Sequence, residues 1–203
     1  MAFPAFFDAV PGIAVRDPLA QFLGACDDGV LHYGYADAVR LAGHSCPTVA
    51  SAYWMTRQAL RAIYGDELPE RGAVRVDFAA SAQTGVTGVI ANVVSLLTAA
   101  AGDSGFQGLA GQFKRRNLMF FDADVPMELR YTRLDGKGQV DAMTHLRKVP
   151  TAPETGVLMQ RCLAGQASAQ ELDRFGQLWQ ERVRSLLLDH GDDPSVFVLS
   201  KRA

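Results

Sequence analysis

The chain is poor in the features that mark several large protein classes. Its 203 residues contain only three cysteines, Cys26, Cys46 and Cys162. Three scattered thiols give no disulfide framework and fit a reducing cytoplasm. There is no charge excess to draw the chain onto nucleic acid, because the formal net charge is −2. Lys114-Arg115-Arg116 is the one basic run that stands out. No apolar run is long enough for a membrane span. The longest such stretch, Val86 to Ala101, matches a buried core helix and contains Asn92 and Ser95. The apolar N-terminus lacks a basic flank and is broken by Pro4 and Pro11, so it does not read as a signal peptide. Internal repeats and low-complexity segments are missing too. No Ser-His-Asp order with a nucleophile elbow appears. No paired-carboxylate constellation is identifiable, and no glycine spacing fits a Walker or Rossmann loop.

What is present is an ordinary globular composition, 48% hydrophobic and 21% charged. Residues 1 to about 17 read as irregular. Asp17-Pro18 opens a short helix, Gly29 to Tyr33 a strand, and Tyr35 to Leu41 a helix stopped by Gly43. Pro47 to Tyr64 has helical apolar spacing, interrupted by Thr56 and closed by Gly65. Val74 to Phe78 alternates as a half-buried strand, with Asp77 on its solvated side. Val86 to Ala101 reads as a central helix. Asn117 to Phe121 is a further strand. Met127 to Leu134 and Gln139 to Leu146 flank Asp135-Gly136-Lys137-Gly138, a hairpin signal. Thr155 to Leu163 is helical. Ser168 and Glu171 form a capping box for a helix running to about Asp189, with Leu172, Phe175, Trp179, Val183 and Leu186 as its buried stripe. Ser195 to Leu199 is a last strand. A hairpin with segregated helices predicts an α+β fold, an antiparallel or mixed sheet with helices packed on it. The pattern is read as one domain over residues 1–203, its C-terminal helix (about 168–189) packed on the core or on a partner subunit.

The chemistry concentrates in Gly43-His44-Ser45-Cys46-Pro47-Thr48. Proline suits the first position of a helix, where its missing N–H would be unpaired anyway. Cys46 then falls at or near the N-cap. A sulfur there faces unpaired N–H groups and the positive end of the helix dipole, both of which favour thiolate. Imidazole plus thiolate suits zinc or iron. Two ligands do not complete a site, so others come from elsewhere. His32, on the strand before the motif, is the leading third ligand. His145 is a weaker one, and a dimer partner is another source.

The run Leu41 to Ala50, with His44, Cys46 and Pro47 at its centre, resembles the opening motif of the FmdE family of formylmethanofuran dehydrogenase subunits. That motif is similar to His-Gly-His-x-Cys-Pro-Gly followed by a helix of small and apolar residues. The resemblance extends more weakly over residues 30 to 150. Phe113 to Leu118 stands where the family has a Gly-Lys-Gly-Asn-Leu-like segment. Ala42 replaces the family's frequent first histidine. Ala82 to Gly88 lacks its frequent second cysteine and aspartate, and there is no C-terminal zinc finger. The resemblance implies an FmdE-like α+β core, metal at the His/Cys motif and a homodimer.

The expected function is therefore that of a cytoplasmic metal-binding protein, either a zinc- or iron-dependent enzyme or a redox protein acting on a small molecule. The metal ligands would be His44, Cys46 and His32, with Cys46 and His44 catalytic. One alternative is a non-catalytic metal or cofactor carrier or accessory subunit. Another is an enzyme with Cys46 as nucleophile and His44 as base. Gly105, Gly108 and Gly111 ahead of the basic run are a candidate anion cradle. Lys114 and Asn117 are candidate ligand-binding residues there, and Thr84, just before the central helix, is a third, with helix capping as its simplest role and a ligand contact as the alternative. A small-molecule ligand is expected, with neither nucleic acid nor membrane as partner.

Overall fold

The structure, a computed structural model, describes residues 3–202. It is an α+β fold built on one mixed five-stranded sheet and a separate two-stranded ribbon. Strand β1 (Ile13–Arg16) pairs antiparallel with β2 (Val30–Tyr33) across helix α1 (Pro18–Phe22). β1 lies where the sequence pattern reads as irregular. Four residues ending at Arg16 are too short a window for alternation to show. The large sheet has the order β4 (Met119–Phe120), β3 (Val74–Phe78), β5 (Leu129–Arg133), β6 (Gln139–Thr144), β7 (Phe197–Arg202). Only the β3–β4 pair is parallel. The β5–β6 hairpin turns on Gly136 at φ 76°, with the Lys137 N–H donating to Asp135 Oδ1 at 3.1 Å.

Helix α2 (Tyr35–Ala42) ends at Gly43 in the left-handed region, where glycine has no Cβ penalty. Helix α3 (Pro47–Tyr64) is the central element and is almost wholly buried. It packs on β5, β6 and β7 and against helix α4 (Thr87–Thr98). Tyr53 and Trp54 belong to the core. Thr56, which breaks the apolar stripe, donates to Ala52 O at 2.7 Å and accepts the Tyr131 hydroxyl at 3.0 Å. Burial raises the Tyr131 pKa, so it remains a donor here. The sheet's helix-covered face carries Val76, Tyr131 and Val140 in register.

The opposite sheet face is charged, and there the solvated reading of Asp77 fails. Asp77 is buried under Arg75, whose Nη2 approaches to 2.6 Å. Asp141 is likewise buried between Arg130 and Arg202, each at 2.6 Å. Long arginine side chains cover the short carboxylates, an arrangement that alternation alone does not reveal.

Helix α5 (Thr155–Leu163) and helix α6 (Ala169–Arg184) form a C-terminal hairpin, and the Ser168–Glu171 capping box is in place. A π turn extends α6 from Ser185 to Asp189. Val183 and Leu186 enter the core as the spacing suggests, but Leu172 is 56% exposed. The stripe fails at Leu172 because α6 packs mainly on α5 and makes no comparable contact with the sheet. No helix among the described residues is long and apolar enough to cross a membrane.

Candidate functional site

The motif loop links the C-terminus of α2 to the N-terminus of α3. Cys46 is the N-cap of α3, extended at φ −149° and ψ 167°, with Pro47 at the first helical position. Its Sγ accepts the Val49 N–H at 3.5 Å, so sulfur takes the place of the usual oxygen cap. The side chain is half-buried against the core. His44 is exposed, and its Nδ1 lies 3.0 Å from Ala42 O. A carbonyl oxygen only accepts, so Nδ1 carries a proton and Nε2 is the ring nitrogen left for a ligand. His44 borders a cleft of about 130 Å³ with Val89, Asn92 and Val93 of α4. No hydrogen bond joins His44 to Cys46 among the described residues.

Ser45, between them, is the best-tied residue of the loop. Its Oγ donates to Gln180 Oε1 at 2.9 Å and accepts the Tyr35 hydroxyl at 2.9 Å. Its carbonyl accepts Trp179 Nε1 at 3.1 Å and Gln180 Nε2 at 3.2 Å. Helix α6 thus clamps the motif loop from 134 residues away. Burial drives the Tyr35 pKa up, the Ser45 bond opposes it, and neighbouring Cys46 adds to the rise. Sequence reading misses Tyr35 and Gln180 because nothing local links them to the motif. It sees Trp179 only as part of an apolar stripe.

The expected third ligand does not join the motif. His32 is an exposed residue of β2, opposite Ala14 in the ribbon. Among the described residues no group of three or more His, Cys, Asp and Glu is placed to hold a metal ion. His145 follows β6 and lines a cleft of about 550 Å³ beside Thr48 and Ser51 of α3. Thr84 sits in the turn before α4, where its Oγ1 lies 2.8 Å from Ser81 Oγ and its carbonyl accepts the Thr87 N–H. Its part there is local turn bonding.

Lys114 and Asn117 do come together, on the wall of a cleft of about 830 Å³ that Thr84 does not line. Arg71, Arg115 and Arg116 share that wall. Behind it, Asp17 caps α1, accepting the N–H groups of Leu19 and Ala20 at 3.0 and 3.1 Å. The same carboxylate accepts Arg115 Nη2 and Arg71 Nη1, each at 2.6 Å. Burial pushes the Asp17 pKa up, but the Ala20 N–H and the two guanidinium charges outweigh it and hold the carboxyl below its usual value. Asp17 and Arg71 carry no motif, so only the Lys114–Arg116 run signals this cluster in the sequence.

No protein-family model matches the chain, and no curated protein matches it either.

Proposed function

We propose that the protein binds a divalent metal ion, zinc or iron, through His44 Nε2 and Cys46 Sγ, in line with the resemblance of its Gly43–Pro47 motif to the FmdE family. The carrying observation is the hydrogen bond between His44 Nδ1 and Ala42 O. It fixes the tautomer and leaves Nε2 free, as outer hydrogen bonds do for metal-binding histidines. The Ser45 clamp restrains the loop that carries both donors.

The described residues fit half a site. Two donors stand on the loop and no cluster of three is present, whereas zinc sites use three or four protein ligands. A second copy of the chain supplies the rest in this reading. A two-fold axis at the motif brings two histidines and two cysteines to one ion, a tetrahedral set. A small-molecule ligand on the exposed His44 side is the other way to fill the shell, and it makes the ion a Lewis acid or a redox centre. The three cysteines are free, which suits the proposed reducing cytoplasm.

Metal analysis of protein purified without chelators tests this reading. Metal in simple ratio to chain, lost in both His44→Ala and Cys46→Ser, is expected. A dimer that chelator dissociates identifies the shared site, whereas a metal-bearing monomer identifies the ligand-completed one. Metal-free wild-type protein, or metal retained in both variants, overturns the proposal.

A further inference from the structure

The chain is weakly acidic as a whole, yet one cleft gathers Arg71, Lys114, Arg115 and Arg116. Among the described residues the only carboxylate on its wall is Glu70, already paired with Arg16 at 2.7 Å. Asp17, behind the wall, is shared by Arg71 and Arg115. One carboxylate between two guanidinium groups leaves a positive charge over. Lys114 and Arg116 have no carboxylate within ion-pair distance among the described residues. The cleft therefore holds about three uncompensated positive charges at neutral pH.

The same residues have hydrogen-bond donors to spare. Arg71 Nε, Arg115 Nη1 and Arg116 Nε are buried and without an acceptor. The Arg115 side chain is only 9% exposed, so it is sunk in the wall and does not wave in solvent. Buried guanidinium donors without acceptors are unfavourable, and native proteins rarely keep them without a reason.

Backbone geometry holds these groups in place. The N–H groups of Arg115 and Arg116 both donate to Phe106 O, at 2.9 and 3.2 Å, and Ala101 N–H donates to Arg115 O at 2.9 Å. Gly72, at φ 84°, lets the Arg115 guanidinium lie on the main chain, because a Cβ there would stand 2.6 Å from Nη1. Phe113 and Asn117 occupy the left-handed region at φ 58° and 55°, which is uncommon for residues other than glycine. The donors are fixed before any ligand arrives.

Guanidinium forks match the oxygens of phosphate, and low-mobility arginines are the usual choice for binding it. About three excess charges are more than a single carboxylate needs and suit a phosphate dianion. The volume, about 830 Å³, lies within the range of pockets for small organic ligands. Phe113 and the 55% exposed Leu134 add apolar wall. We propose that this cleft binds a phosphorylated small molecule, its phosphate on Arg71, Arg115 and Arg116 and its organic part against Phe113 and Leu134. Sunken arginines around one pocket favour such a ligand over a nucleic-acid strand, which tracks an exposed basic groove. The site is separate from the His44–Cys46 loop and does not depend on it.

Isothermal titration at low ionic strength with inorganic phosphate, phenyl phosphate and acetate tests the inference. One phenyl phosphate per chain, bound more tightly than inorganic phosphate and with acetate silent, is expected. Arg116→Gln and Lys114→Gln leave the Asp17 pairs intact; the first should weaken phenyl phosphate about tenfold, the loss of one charge-assisted contact, and the second by a smaller factor, the loss of a neighbouring positive charge. Arg115→Gln should abolish binding, and a circular-dichroism melt shows whether that variant is folded. Absence of saturable binding to folded wild-type protein overturns the inference, as does wild-type affinity in the Lys114→Gln/Arg116→Gln double variant. Phenyl phosphate bound no more tightly than inorganic phosphate also overturns it, because the cleft is then an ion site only. Tight, saturable binding of a short single-stranded oligonucleotide in place of phenyl phosphate would overturn it in favour of a nucleic-acid surface.

Discussion

At the N-terminal end of α3 the Ser45 hydroxyl and carbonyl are both bonded to α6, and Cys46 caps the helix. Toward its other end, ~27 Å away at 1.5 Å per residue, the chain continues through Glu70 and Arg71 into the arginine cleft. There, three guanidinium nitrogens are buried without acceptors. The motif loop closes the polar groups of Ser45 inside the fold and leaves the Nε2 of His44 outward. The cleft keeps three donor nitrogens inside its wall without acceptors and about three positive charges without carboxylates. A region whose hydrogen bonds close within the chain is held by folding alone. A region with surplus buried charge is held against its own repulsion and gains when something anionic arrives.

The cleft end should be the more fragile. Asp17→Ala removes the one carboxylate shared by Arg71 and Arg115 and the cap of α1. Uncompensated buried charge of this kind destabilises by about 3–5 kcal/mol. Urea unfolding should show a correspondingly lower midpoint, and the same experiment with phenyl phosphate present should recover part of it. A wild-type midpoint for Asp17→Ala would mean that the buried arginines tolerate each other unaided, and the contrast would vanish.

Acid should act in the same direction but more gently, since protonation removes charge while leaving the side chain in place. Asp17 and Asp141 both have folded pKa values below the ordinary 3.8; burial raises each, and hydrogen bonds with arginine charge outweigh it. A depressed folded value means the unfolded chain takes up protons first. The stabilisation is full above the ordinary carboxylate range and is lost as pH falls through the lower folded values. Melting temperature should be flat from neutrality to about pH 5 and drop below about pH 4. A melting temperature that rises on acidification would contradict both ion-pair assignments.

At the motif end, Ser45→Ala should have a smaller effect. It leaves the buried Tyr35 hydroxyl without its acceptor and Gln180 Oε1 without its donor. An unsatisfied buried group costs about 1–3 kcal/mol. Loss of near-ultraviolet signal from Trp179 alongside the lower midpoint would show that α6 has come off the loop. An unchanged midpoint would show that the carbonyl contacts alone hold the clamp.

The two ends also differ in how far the sequence betrays them. The helix Pro47–Tyr64, its cysteine cap and its glycine stop are legible because each is a local signal within a few residues. The hairpin and the capping box are legible for the same reason. The α6 clamp on Ser45 is not, since Trp179 and Gln180 meet the loop only through tertiary packing. Nor is the Asp17 cluster, which joins residues 17, 71 and 115 from three segments. The basic run Lys114–Arg116 points to the cleft, but a solvated charge run would look identical in sequence. Burial without an acceptor separates the two cases, and it exists only in the folded chain. For Thr84 the sequence offers local capping first and a ligand contact second, and its hydroxyl is bonded to Ser81 in the turn before α4.

The smallest expected stability change is the one that tests the motif's chemistry most directly. Cys46 has two separable duties, capping α3 and offering sulfur to a metal. Serine keeps the first and removes the second, because its hydroxyl is a stronger cap for the Val49 N–H than sulfur at 3.5 Å. Cys46→Ser should therefore unfold within ~0.5 kcal/mol of wild type in the metal-free state, whereas Cys46→Ala, which has no cap, should lose about 1 kcal/mol. Any stabilisation by added zinc should disappear in both. Zinc stabilisation that survives in Cys46→Ser would place the ion elsewhere and leave the N-cap sulfur a purely structural group. The motif end would then close upon itself completely, with the arginine cleft the only part of the two that asks for a ligand.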